Sequence, residues 1–168
     1  SDSQRRSEWK PKVDSLICST SPFEHQGPVT RLSISEDESF FVSGSHDGTC
    51  KVFEMRQIHD SNGNLKSTLT LNDGDSSSFK INDLSIIENS HSVATANSDG
   101  CLRIWRVEVA VSRQSSLVSG SAASPFSRSS RVSGSKMIRR VEAKEGGISC
   151  ISHFNTNSSS ILMFKKQK

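Results

Sequence analysis

Tyrosine is missing from this chain of 168 residues, and aromatic residues make up only 6% of it. The length allows one domain with a real core, but at 32% hydrophobic residues part of it has too little apolar surface to pack. No apolar run approaches the ~18 residues that a membrane-spanning helix needs, and the start of the chain has no signal-peptide core. Cys18, Cys50, Cys101 and Cys150 are widely spaced and form no C-x-x-C pair. That pattern fits reduced thiols of a cytosolic protein better than a secreted disulfide framework. Asn157-Ser158-Ser159 matches a glycosylation acceptor, as chance allows in so serine-rich a chain. The chain opens on Ser-Asp-Ser instead of Met and ends on Phe-Lys-Lys-Gln-Lys, which reads as a piece of a longer protein.

A strongly basic domain is missing too. The net charge is +3, but residues 108–140 hold Arg113, Arg128, Arg131, Lys136, Arg139 and Arg140 against Glu108, a net of +5. The remainder is therefore −2 (+3 less +5). A mildly acidic folded part carrying a basic loop is no nucleic-acid-binding domain.

What the chain does contain is an internal repeat. Residues 29–53, VTRLSISEDESFFVSGSHDGTCKVF, align without a gap on residues 81–105, INDLSIIENSHSVATANSDGCLRIW, at a spacing of 52. Leu32 falls on Leu84, Ile34 on Ile86, Asp47-Gly48 on Asp99-Gly100 and Phe53 on Trp105. His46 and Cys50, which beside Asp47 invite a metal reading, fall on Ser98 and Leu102. A metal site needs its ligands, whereas a hairpin needs its turn and its alternation. What repeats is a turn: glycine takes positive φ freely, and aspartate bonds its own backbone.

Alternating apolar residues on either side of each Asp-Gly predict strands over 29–35, 40–45 and 49–55, then 81–87, 92–97 and 101–107. Asn62-Gly63 marks a turn into a fourth strand over 65–71. Four strands per unit is the blade of a β-propeller. Cys50 then reads as a small core residue. His59, His91 and His153 have neither an i, i+4 partner nor a cysteine partner, and Glu36-Asp37-Glu38 reads as a solvated turn.

These residues resemble the WD-repeat family, whose blades carry a histidine, a serine or threonine, an aspartate and a tryptophan in a buried hydrogen-bonded tetrad. The resemblance assigns His25, Ser43, Asp47 and Phe53 to blade one, and Thr95, Asp99 and Trp105 to blade two, with Ser77 roughly where the second histidine belongs. Phe53 has no N–H to donate, so both tetrads are incomplete; their members are structural, not catalytic.

A narrower resemblance rests on Glu8-Trp9-Lys10-Pro11-Lys12 with Glu24-His25, on Gly146-Gly147-Ile148 through His153-Phe154-Asn155, and on Ser159-Ser160-Ile161-Leu162. Together with the blades, over about 8–55, 79–107 and 146–162, these are similar to the regulatory, protein-kinase-like subunit of class III phosphatidylinositol 3-kinase, of the vacuolar protein sorting family. That family joins a kinase-like domain and helical repeats to a C-terminal propeller. The chain itself has no glycine-rich phosphate loop, His-Arg-Asp or Asp-Phe-Gly.

The expected architecture is all-β: an incomplete WD-repeat propeller of about two and a half blades plus a closing strand. Residues 1–12 form a linker, 13–20 the strand closing a last blade, 25–71 blade one, and 79–107 blade two with its outer strand at about 136–144. Residues 146–164 begin a third blade that breaks off. Residues 108–135 form a disordered insertion, since 112–135 hold 11 serines and almost no large apolar residue. Within it, Ser116 follows Arg113 by three residues and Ser124 precedes Pro125, which makes both candidates for phosphorylation.

The resemblance implies a non-catalytic scaffold with no cofactor and no nucleic acid. Its partners are a lipid-kinase catalytic subunit and coiled-coil subunits, and it sits in the cytoplasm, peripheral on endosomal and autophagic membranes. Two other readings compete: a generic WD-repeat adaptor, such as a ubiquitin-ligase substrate receptor, and a phosphoinositide- or membrane-binding propeller using the basic loop.

Overall fold

A computed structural model describes residues 19–20, 24–60, 64–74, 78–87, 90–113, 128–143, 146–156 and 158–167. Blade one is a four-stranded antiparallel sheet in the order β2-β3-β4-β6. Its strands are β2 (Val29–Ile34), β3 (Phe40–Ser45), β4 (Cys50–Glu54) and β6 (Leu69–Leu71). Blade two runs β7 (Ile81–Ile87), β8 (Ser92–Asn97), β9 (Cys101–Arg113) and β10 (Arg128–Glu142), also antiparallel. A third sheet pairs β11 (Ile148–Asn155) with β12 (Ser160–Lys166).

Three expectations need correcting. Residues 65–71 are not one strand: β5 (Asn64–Leu65) and β6 are separate, and one helical turn, α1 (Arg56–Asp60), precedes them. β1 (Ser19–Thr20), the end of the segment expected to close a last blade, pairs in parallel with β5. Residues 108–113 and 128–135 are not disordered but paired, from Glu108↔Gly134 out to Arg113↔Arg128. Val107, Val109 and Val111 alternate along β9, and a ribbon buries apolar side chains on one face only, so Val132 suffices on the serine-rich side. The outer strand therefore starts at Arg128, not at about 136. Residues 1–18 and 114–127, with Ser116 and Ser124, lie outside the described residues, as does Ser77.

Sheet-to-sheet packing makes the core. Phe40, Val42, Val52 and Leu71 of blade one meet Ile81, Leu84, Val93 and Trp105 of blade two. On blade two's other face, Ala94, Ala96 and Leu102 meet Ile148 and Ile151. β8 is buried along its whole length, as a strand covered on both faces must be. β2, by contrast, leaves Leu32 62% and Ile34 59% exposed.

One joint recurs between sheets. Each inner strand shifts register near its start, between Val29 and Arg31, Ile81 and Asp83, and Ile148 and Cys150. A β-bulge re-aims a side chain. Here the bulged Thr30 donates to the Ile81 carbonyl at 3.0 Å, and its repeat-mate Asn82 donates to the Ile148 carbonyl at 2.7 Å. Asp83 adds a second tie. It accepts from Arg31 Nε at 2.8 Å on one side and from the Ile151 N–H at 3.1 Å on the other.

The Asp-Gly turns are a further joint. Gly48 and Gly100 have φ of 83° and 81°. A Cβ on Gly48 would lie 2.6 Å from the Phe79 carbonyl oxygen, and one on Gly100 2.7 Å from that of Gly146. Each turn thus abuts the entry of the next sheet. Gly48→Ala is expected to destabilise the chain by about 2 kcal/mol or more, adding a clash to left-handed strain. Gly74→Ala, with similar φ but open space, should cost less. Equal denaturation midpoints for the two variants would show that the contact with the next blade does not matter.

Candidate functional site

In blade one, the Asp47 side chain folds back on its own turn, where Oδ1 accepts from the Thr49 N–H at 2.8 Å and from the Thr49 hydroxyl at 2.7 Å. Oδ2 accepts from the Gln26 N–H at 2.9 Å and from His25 Nδ1 at 3.0 Å. The far ring nitrogen, Nε2, lies 2.7 Å from Ser43 Oγ. In the tautomer whose Nδ1 donates to the carboxylate, Nε2 accepts the Ser43 hydroxyl proton. Burial alone would push the Asp47 carboxyl up, but the bonds from Thr49, Gln26 and His25 outweigh it and hold the group down to about 2.

Serine, histidine and aspartate in this order have the connectivity of a nucleophile, base and orienting acid. Access rules that chemistry out: Ser43 is 3% exposed, on a central strand of a packed sheet, where no substrate carbonyl can reach its hydroxyl. Phe53, in the tryptophan position, stacks on Phe41 with ring centroids 4.8 Å apart and planes at 6°.

Blade two solves the same problem with different chemistry. Asp99 accepts from the Cys101 N–H at 3.0 Å, as Asp47 does from Thr49. It also accepts from the guanidinium of Arg103, at 3.2 Å to Oδ1 and 2.8 Å to Oδ2. Arg103 is 1% exposed. Its Nε donates to Asp73 at 2.5 Å, and its guanidinium carbon lies 4.1 Å from the centroid of the Phe79 ring. Thr95 and Trp105 are buried beside it. The Thr95 hydroxyl accepts from Asn97 Nδ2 at 3.2 Å, and the same amide donates to the Cys101 carbonyl at 2.7 Å.

Sequence reasoning missed Arg103, treating it as the match of Lys51. Its signal was parity: it stands two residues before Trp105, on the same strand face, with acids at 73 and 99 to receive it. Glu54 was missed as well. Its Oε1 accepts from the Val132 N–H at 2.8 Å, and Arg56 holds its Oε2 at 2.7 Å, which ties blade one to the outer strand of blade two. His91 Nε2 donates to Asp37 Oδ2 across the blade tips at 2.8 Å, a surface bond at an exposed turn. Burial pushes the Cys50 thiol up to about 12, as suits a core residue. Among the described residues, no group of three His, Cys, Asp or Glu side chains converges to hold a metal ion.

With this geometry in hand, comparison with known proteins fixes the class. The family model described as WD domain, G-beta repeat matches residues 16–54 and 63–106. The chain is a run of WD40 repeats from a β-propeller. More particularly, it is similar to VPS15 kinases of several species. It is 29% identical, over 99% of its length, to a probable serine/threonine-protein kinase vps15 of Dictyostelium discoideum, and 33% identical, over 51%, to a putative serine/threonine-protein kinase VPS15 of Komagataella pastoris. It spans 8% and 6% of those relatives. The solved structure of U3-55K overlaps 76% of this chain and 28% of its own, with 12% identity and a TM-score of 0.48.

Two outcomes follow from the clusters. Arg103→Leu removes the guanidinium from beside Asp73, whose side chain is 2% exposed, and from Asp99, and is expected to cost about 3–5 kcal/mol by denaturant titration. Arg103→Lys should recover only part of this, since an ammonium cannot reproduce the fork to two carboxylates. A loss under 1 kcal/mol would mean that the ion pairs carry no load. The second outcome concerns acid. Asp47 is held at about 2 in the fold, below the ~3.9 of an unfolded chain, so its ionised form stabilises above pH 4 and that contribution fades as pH falls towards 2. Asp47→Asn should flatten this part of the pH–stability curve, measured as the denaturation midpoint at pH 5, 4 and 3; an unchanged slope would count against it.

Proposed function

We propose that this chain is a non-catalytic scaffold segment of the regulatory subunit of a class III phosphatidylinositol 3-kinase complex. In that role it supports phosphatidylinositol 3-phosphate production for endosomal or vacuolar sorting and autophagy. The observation that carries the reading is the similarity to the Dictyostelium vps15 kinase over nearly the whole chain. The buried clusters agree with it. His25, Ser43, Asp47 and Asp99 are engaged in holding a turn to its strands.

Repeats of this kind mediate protein–protein contact. The partners proposed are the lipid-kinase catalytic subunit and coiled-coil subunits of the complex, and the place is the cytoplasmic face of endosomal and autophagic membranes, reached through the complex. Affinity purification of the full-length parent protein, with mass spectrometry and an assay for phosphatidylinositol 3-phosphate, is the test. Recovery of a lipid-kinase catalytic subunit with coiled-coil partners is expected. Cullin-type ligase components in their place would overturn the reading and favour a generic adaptor.

A further inference from the structure

The outer half of blade two is built unlike that of blade one. β8 stops pairing at Ser92↔Arg106, yet β9 and β10 continue in register to Arg113↔Arg128. Residues 107–113 and 128–135 therefore form a two-stranded ribbon beyond the sheet, whereas the outer strand of blade one has three residues. An isolated two-stranded ribbon is marginal in water. This one is seated by buried Val107 and Val132 and by the bond from the Val132 N–H to Glu54.

Among the described residues, no strand pairs with the far edge of β10; Glu54 takes the Val132 N–H, and from Lys136 onward the edge has no ladder partner. Arg131, Lys136 and Arg139 are exposed along it and make no ion pair among the described residues. Met137 and Ile138 are exposed between Lys136 and Arg139, at 38% and 44%, and Val141 just past Arg139, at 37%. Lys136 also stands directly opposite Arg106, which is exposed too. Like charges in that position destabilise a sheet. Lysines and bulges alone would protect an edge from unwanted pairing. Protection does not call for three exposed apolar side chains, nor for a like-charge pair.

We propose that the edge of β10 docks an extended segment of a partner protein, in which acidic and apolar residues alternate, as a fifth strand of blade two. Ala110, Arg106 and Ile104, the register partners of Arg131, Lys136 and Arg139, alternate along β9, so the three cations share one face. Met137, opposite Trp105, lies on the other face with Arg140, opposite Arg103, while Val141, opposite Leu102, shares the cationic face. An added strand has the same period, and would set its acids over the cations and its apolar residues beside Met137. A bilayer fits this surface poorly. The cationic face is the one whose Leu102 and Ile104 pack against the third sheet, so it is a side wall between blades, which an extended peptide can enter and a flat membrane cannot. The inference goes beyond the lipid-kinase reading and does not depend on it.

The test titrates the full chain against a fluorescein-labelled peptide of alternating Glu and Val, its Lys-for-Glu counterpart, and vesicles of phosphatidylcholine with phosphatidylserine. Saturable binding of the acidic peptide alone is expected, with slowed amide exchange along β10. Lys136→Glu with Arg139→Glu should weaken that binding by about tenfold or more. The neutral pair Lys136→Gln with Arg139→Gln, which adds no repulsion, should fall between, with the circular dichroism of both variants unchanged. Undiminished binding by the reversed variant, unprotected β10 amides, or binding to anionic vesicles without binding to the peptide would each overturn the proposal.

Discussion

A four-stranded sheet that is apolar on both faces cannot stand alone, and the joint between neighbouring sheets is the constraint on which this structure turns. The joint is polar and sits at the inner strand. A bulge throws Thr30 or Asn82 out of the ladder, and that side chain reaches the first carbonyl of the next inner strand. Flanking it, Asp83 links all three sheets, through Arg31 on one side and the Ile151 amide on the other. Hydrophobic contact is non-directional and would tolerate sliding of one sheet over the next. Hydrogen bonds to a fixed carbonyl do not, so they set the register in which Val42 and Leu84, or Ala96 and Ile148, come to face each other.

Much of the fold was legible because its signals are local. Asp-Gly with alternation on both sides placed β3, β7 and β8 to the residue. The turn is a loop of four residues in blade one and three in blade two, with only the glycine at positive φ and an aspartate that bonds the amide two residues on. What stayed hidden depends on partners far away in the chain. Glu54 looks like a strand-end acid until Val132 arrives, 78 residues later. The ribbon was misread because serine-rich composition was weighed as if every residue needed a core, when a strand at the rim needs one buried side chain and a paired neighbour.

The candidate site was legible at the level of residue type and much less so at the level of bonding. His25, Ser43 and Asp47 were picked out together, and they do meet. Sequence alone cannot tell this cluster from a hydrolytic relay, because residue types and hydrogen-bond order are shared; burial of Ser43 makes the difference. In blade two the sequence pointed to an incomplete tetrad, yet the aspartate is not left wanting.

The two blades together show which part of the device is constrained. The carboxylate after the second strand and the glycine behind it recur unchanged, because backbone geometry admits few substitutes: one accepts the amide two residues on, and the other takes a conformation that a side chain would strain and a space that a Cβ would fill. The group that satisfies the rest of the carboxylate is free to vary. An imidazole does it from before the inner strand in blade one, and a guanidinium from within the third strand in blade two. Either supplies an N–H in the right place, but the consequences differ. The imidazole ties the turn to its own sheet through Ser43. The guanidinium, through Asp73, ties it to the chain arriving from blade one, so the more central blade is also the one fastened to its neighbour by charge.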